Sequence, residues 1–163
     1  MLLLDGIPLH PLIVHAVVVL LPLAALGAIV VAVRPTWRRT YGIPVLLIAI
    51  VGVAAVPLAT NTGEQLAAVV PGPNPLIQIH ETRGETLLPV AVAFLVLLAV
   101  AVTVGRRTDS TGRHGKGATV VRTGSRVAAV AAVLAALAGL AVTGLVVWIG
   151  HSGAAAVWQA PGG

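Results

Sequence analysis

The stretch PLIVHAVVVLLPLAALGAIVVAV, residues 11–33, contains no Asp, Glu, Lys or Arg over its 23 positions. A helix of about 20 mainly apolar residues is long enough to cross the hydrocarbon core of a bilayer. The stretch lacks the alternation of polar and apolar residues that is typical of strands in a membrane barrel. Because a segment in lipid must satisfy its own backbone hydrogen bonds, the stretch predicts a transmembrane helix.

Three more apolar blocks follow the first. Hydrophobic residues make up 58% of the 163 positions and charged residues 9%, whereas a soluble domain carries about 25% charged residues. The chain has no cysteine, which excludes disulfides and thiolate catalysis. We therefore expect an all-α fold, a single integral membrane four-helix bundle over residues 1–163. The predicted spans are about 11–33, 43–59, 87–104 and 127–149.

The distribution of charge predicts the topology. Nine of the ten basic residues lie in two connecting segments, 34–42 and 105–126, and four of the five acidic residues lie on the other side. The positive-inside rule places both basic segments in the cytoplasm and both termini outside. We expect a multi-pass protein of the bacterial cytoplasmic membrane. This bias accounts for the net charge of +5, so no nucleic-acid partner is expected.

The second basic segment, GRRTDSTGRHGKGATVVRTGSR at 105–126, has the composition of a flexible linker. One interpretation is a cytoplasmic loop whose basic side chains contact anionic lipid headgroups. The other is a topology signal with no further role. The basic side chains expected to face lipid are Arg106, Arg107, Arg113 and Lys116.

Polar residues gather at the outer ends of the predicted helices. Asn74 followed by Pro75 predicts the start of a helix that carries His80 toward the third span. His10 is expected to cap the first helix, with Pro11 in the first turn. Four histidines and three carboxylates then lie at one level of the membrane. They are His10, His15, His80, His151, Glu64, Glu81 and Glu85.

These histidines predict a cofactor site, for which two models compete. Imidazole is a common metal ligand and an axial ligand of haem, and Glu81 is placed to accept a hydrogen bond from such a ring. In the first model, haem b is held by two of His15, His80 and His151, which leaves His10 unexplained. In the second, copper, zinc or iron is bound by three or four imidazoles. No HExxH sequence occurs, and His10 and His15 are five residues apart rather than four.

Several motifs resemble one family of predicted four-helix bacterial membrane proteins of unknown function. They are HPLIVH at 10–15, Thr62–Gly63, His80–Glu81 and GHSGAAAVW at 150–158, which together cover nearly the whole chain. The family often has Phe-Pro after the second histidine, where this chain has Ala16-Val17. Relatives are sometimes joined to Rieske-type or cytochrome modules. The resemblance therefore implies electron transfer, or haem or metal binding.

Three functions remain open at this point. The leading hypothesis is a membrane redox or metal-binding protein with a periplasmic redox partner. The second is a cofactor-free subunit of a larger membrane complex, and the third is a small transporter or proton relay. An enzymatic activity is undecided, since no P-loop and no GxSxG occurs. A stripe of small residues predicts close helix packing, within the monomer or in a homo-dimer. The stripe is Ala131, Ala135, Gly139 and Thr143.

Overall fold

The computed structural model describes residues 3–4, 7–70, 74–113 and 118–158. Five helices are present in these residues. They are α1 (Leu9–Val33), α2 (Arg38–Ala67), α3 (Pro75–Glu85), α4 (Leu87–Arg113) and α5 (Ala118–Trp158). A short 3₁₀ turn, Pro35–Trp37, joins α1 to α2, and two-residue strands β1 (Leu3–Leu4) and β2 (Ile7–Pro8) pair antiparallel before α1. The all-α prediction is thus confirmed apart from this minimal strand pair.

Four helical segments are long and apolar enough to cross a membrane. These are Leu9–Val33, Pro35–Ala67, Pro75–Thr108 and Thr123–Trp158. The helices α1 and α2 form one antiparallel hairpin, and α4 and α5 form another; α1 also packs against α5, and α2 against α4. The four long helices therefore form a square in which α1 lies diagonally opposite α4. We call the end with His10 and His80 the histidine end, and the end with Arg38 and Arg106 the basic end.

Small and medium apolar side chains fill the interior of the bundle. Phe94, Leu21 and Leu98 are the largest fully buried side chains, and alanines occupy many of the other buried positions. Gly139 of α5 meets Ala25 of α1 so closely that a Cβ at Gly139 would lie 2.9 Å from the Ala25 Cβ. At Gly139 the predicted small-residue stripe therefore contributes to the chain's own core, at the α1–α5 contact, which is how small residues bring membrane helices together.

The helices extend beyond the predicted spans at both ends of the bundle. The segment 105–126, expected to be a linker loop, is helical wherever it is described, because α4 continues to Arg113 and α5 begins at Ala118. At 1.5 Å per residue, the 41 residues of α5 are about 60 Å long, against about 30 Å for the hydrocarbon core. The polar ends of α4 and α5 thus continue their helices past the apolar region. Lys116 lies outside the described residues.

The start of α3 agrees with the sequence. Asn74 precedes the first helical residue, Pro75, and its Oδ1 accepts a hydrogen bond from the Leu76 N–H at 3.0 Å. The helix then ends at Glu85, and α4 begins at Leu87. Pro89 explains this break, because its ring has no N–H to donate to the Glu85 carbonyl and clashes with that carbonyl in a continuous helix.

The start of α1 differs from the expectation. The residue before the helix is Pro8, and α1 begins at Leu9, so His10 is already the second helical residue. His10 therefore does not cap α1. Its ring turns toward α2, where it has other partners.

Candidate functional site

The His10 site joins the start of α1 to the end of α2 and consists of His10, Ala59, Thr62 and Gly63. The Nδ1 of His10 lies 2.9 Å from the Ala59 carbonyl oxygen and 3.4 Å from Thr62 Oγ1. Thr62 is buried, with 7% of its surface exposed, and donates its hydroxyl to the Leu58 carbonyl at 2.8 Å. A Cβ at Gly63 would lie 3.0 Å from His10 Cε1, so a glycine at this position lets the ring approach α2.

The His80 site joins α3 to the last turns of α5 and consists of His80, Ile149, Ser152 and Gly153. The Nδ1 of His80 lies 3.1 Å from the Ile149 carbonyl oxygen and 3.2 Å from Ser152 Oγ. Ser152 is 4% exposed and donates its hydroxyl to the same carbonyl at 2.7 Å. A Cβ at Gly153 would lie 2.9 Å from His80 Cε1. Nearby, the guanidinium of Arg83 stacks on Trp148 at 4.4 Å and adds a second contact between α3 and α5.

The two sites have the same construction. In each, one imidazole meets a carbonyl at position i, a hydroxyl at i+3 and a glycine at i+4 of a helix that runs toward the histidine end. His10 lies in the first turn of α1 and His80 lies in α3, just before α4, and α1 and α4 lie on one diagonal of the bundle. The two hairpins thus form a parallel repeat around an axis along the bundle, an arrangement known from membrane transporters.

These contacts assign the tautomer of both rings. A carbonyl oxygen only accepts hydrogen bonds, so Nδ1 of each ring carries the proton. In a neutral imidazole, Nε2 then holds a lone pair, and the N–H···O=C bond fixes the orientation of the ring. The same combination is found in most histidines that ligate metals, where the second nitrogen bonds a carbonyl or a carboxylate.

The other two histidines do not join them. His15 is exposed, and its Nδ1 donates to the Pro11 carbonyl of its own helix at 2.6 Å. Five residues on an α-helix turn about 140°, so His15 faces away from the side that carries His10. His151 is also exposed, one residue before the buried Ser152. His15 therefore lies on the outside of the bundle and is not enclosed between the helices.

The carboxylates are peripheral to both sites. The acceptor for His80 Nδ1 is the Ile149 carbonyl, where the sequence predicted Glu81. Glu64 and Glu85 are exposed, and Glu81 is partly exposed. Among the described residues, no group of three or more His, Asp or Glu side chains is arranged to hold a metal ion. The model of an ion bound by three or four imidazoles finds no support in this arrangement.

The basic residues predicted to face lipid occupy the opposite end of the bundle. Arg106 and Arg107 are exposed on α4, and Arg106 Nη1 donates to the Arg39 carbonyl at 2.6 Å. Arg113 is the last residue of α4. Neither Arg106 nor Arg107 has a connection to the histidine sites, because the length of the membrane-crossing helices separates them.

Four long apolar helices with a core of small residues define a helical multi-pass membrane protein. The model of the family described as Predicted membrane protein (DUF2231) matches residues 6–162, and the chain belongs to this family. No curated protein and no solved structure matches the chain. The resemblance to a membrane protein family of unknown function is thus confirmed.

The sequence predicts His10 and His80 as site residues, but it does not predict their hydrogen-bond partners. Thr62 and Gly63 enter only through the family resemblance, and neither Ser152 nor Gly153 is given a role. A signal for them is present in the sequence. Each hydroxyl residue directly precedes a glycine, at the same end of two helices that run in the same direction.

Proposed function

We propose that this protein binds haem b through His10 and His80 and transfers electrons at the histidine end of the bundle. Two equivalent imidazoles support this proposal. Each donates an Nδ1–H···O=C bond to a carbonyl of α2 or α5, and these two helices lie diagonally opposite one another. Two imidazoles would hold a b-type haem. Two lone-pair nitrogens related by a twofold repeat match this need better than they match an ion with three or four protein ligands.

The chain's own residues would hold and tune such a group. His10 and His80 would supply the Nε2 ligands, and the bonds to Ala59 and Ile149 make each imidazole a stronger donor. When bound, haem supplies one-electron chemistry, and its environment sets the potential. Thr62 and Ser152 also donate to these two carbonyls, which keeps both acceptors oriented toward the rings.

The orientation is part of the same proposal. The basic end lies in the cytoplasm by the positive-inside rule, so the histidine end faces outward in a bacterial cytoplasmic membrane. A redox partner would then approach from the periplasmic side.

A cofactor-free subunit of a larger membrane complex is the second candidate. One observation favours it. Each ring already joins two helices and occupies the space left by a glycine, so both sites also act as structural contacts. In this case the exposed His15 and His151 contact a partner protein.

A visible spectrum of the purified protein separates these candidates. We expect the reduced-minus-oxidised spectrum of the wild type to show the α-band of a b-type haem. His10→Gln and His80→Gln should each abolish or strongly shift this band, because each removes an axial ligand. His15→Gln and His151→Gln serve as matched controls and should leave the band unchanged, since both rings are exposed.

The opposite result is equally informative. A featureless spectrum together with an empty metal analysis contradicts the haem proposal. If His10→Gln and His80→Gln then lower the melting temperature while His15→Gln does not, the structural role of the second candidate accounts for both sites.

A further inference from the structure

A polar cavity lies at the basic end of the bundle, remote from both histidine sites. Its volume is about 80 Å³, and it is lined by Pro35, Arg38, Gly105, Thr108 and Ser125, together with two alanines of α5. A water molecule needs about 10–15 Å³ of such space, so the cavity has room for several waters or for one tetrahedral oxyanion. It opens between the starts of α2 and α5 and the last turns of α4.

Arg38 is the charged group of this cavity. Only 6% of its surface is exposed, although it is the first residue of α2. Its side chain lies across Gly105 of α4, where a Cβ would come within 2.7 Å of both Arg38 Cδ and Nη1. The guanidinium has five N–H donors in a planar fork, so it can bond an oxyanion in the cavity in addition to groups of the protein. Phosphate oxygens match this fork particularly well.

The surroundings favour an anion. Thr108 and Ser125, which both carry hydroxyl groups, line the cavity, and a glycine at position 124 lets Thr108 approach α5 closely. The segments 34–42 and 105–126 contain nine basic residues and a single acidic one, Asp109. Such an excess of one sign creates a potential that concentrates ligands of the opposite sign. Besides Arg38, the described basic side chains at this end are Arg34, Arg39, Arg106, Arg107 and Arg126.

We infer that this cavity is a binding site for a phosphate group, held by Arg38 between α2, α4 and α5. The phosphate belongs to the headgroup of an anionic phospholipid in the adjacent leaflet, or to inorganic phosphate. Basic pockets between transmembrane helices are known to bind anionic headgroups. The site does not depend on haem, and it gives the buried Arg38 a role that the exposed arginines of the same end do not share.

The test is thermal unfolding of the purified full chain in an uncharged detergent, followed by tryptophan fluorescence. Phosphatidylglycerol, phosphatidylcholine and inorganic phosphate are titrated in separate arms. A ligand that binds the folded state raises the melting temperature, by an amount that grows with the logarithm of its concentration relative to its Kd. We expect phosphatidylglycerol or phosphate to stabilise the wild type, and phosphatidylcholine to have a much smaller effect.

Two variants and one control address Arg38. Arg38→Gln should lower the affinity for the stabilising ligand by about tenfold or more, as expected for the loss of a charged hydrogen bond. Gly105→Ala keeps the charge but displaces the guanidinium, so it should also lower the affinity for this ligand. It therefore tests the site should Arg38→Gln fail to fold. Arg34→Gln removes the same charge from an exposed position beside Trp37 and should leave the affinity unchanged.

Each outcome has a defined meaning. If phosphatidylglycerol acts and inorganic phosphate does not, the source is a lipid headgroup; the reverse result identifies free phosphate. An equal loss of affinity in Arg34→Gln and Arg38→Gln would show that the ligand is attracted non-specifically to the basic end, and it would overturn the inference. The absence of any stabilisation in both anionic arms would overturn it as well.

Discussion

At the scale of residues, the histidine sites depend on two glycines, because a side chain at either position would occupy the space of the imidazole. Gly63 and Gly153 lack the Cβ that would press against His10 and His80 at 3.0 Å and 2.9 Å. Each ring can therefore lie flat enough against its helix to reach a carbonyl that a neighbouring hydroxyl also contacts. The consequence is a fixed tautomer, which follows from small side chains as much as from the histidine itself.

Gly153→Ala and Gly150→Ala make a matched pair of substitutions in one turn of α5. Gly153→Ala should destabilise the protein by about 1–3 kcal/mol, because the added methyl group forces the His80 ring away. A Cβ at Gly150 meets nothing within 4 Å, so Gly150→Ala should be neutral or stabilising by up to about 1 kcal/mol. Denaturant unfolding measures both. Equal effects of the two substitutions would show that the ring does not occupy this space.

At the scale of elements, the short helix α3 positions His80 against α5. It is only 11 residues long, and helices of this length are marginal without capping and tertiary contacts. Its stability comes from the Asn74 cap at one end and from the contacts of His80 and Arg83 with α5. The position of His80 therefore depends on a capping residue six positions earlier.

Asn74→Ala tests this dependence. The loss of the N-cap should cost about 1 kcal/mol and should speed hydrogen exchange of the amides in the first turn of α3. Asn74→Asp restores a capping oxygen and should reverse most of the effect. Asn61→Ala is the control, since Asn61 is exposed on α2 and accepts only from Gln65 at 2.8 Å. Such a surface pair contributes about 0.2–0.5 kcal/mol. Unchanged exchange in Asn74→Ala would contradict the capping role.

At the scale of the whole molecule, charge divides the bundle into two ends with different chemistry. The histidine end carries imidazoles and carboxylates, and Arg83 is its single basic residue. The basic end carries the remaining arginines and the cavity beside Arg38. With the orientation that the positive-inside rule predicts, the proposed haem site and the proposed phosphate site lie at opposite sides of the membrane.

Cysteine labelling tests the orientation, and the chain's lack of cysteine provides a clean background. Ala68→Cys and Thr36→Cys introduce one thiol at each end, at exposed positions and without changing any charge. An impermeant maleimide added to intact cells should label Ala68→Cys, whereas Thr36→Cys should react only after lysis. The reverse pattern would place the histidine end in the cytoplasm.

The sequence by itself determined the number of membrane helices, the Asn74 cap and the separation of histidines from arginines. These features follow from runs of apolar residues, local hydrogen bonds and charge counts, all of which act over a few positions. The length of α5 exceeded the prediction because polar residues continue a helix that apolar length alone does not delimit.

Only the tertiary structure decided which histidines act together. His10 and His80 are 70 positions apart, and their partners are a carbonyl and a hydroxyl on other helices. His15 carries the same imidazole but lies on another side of α1, and it bonds its own backbone. Spacing alone shows that His10 and His15 point to different sides of α1, but which of the two meets a neighbouring helix depends on how the helices pack.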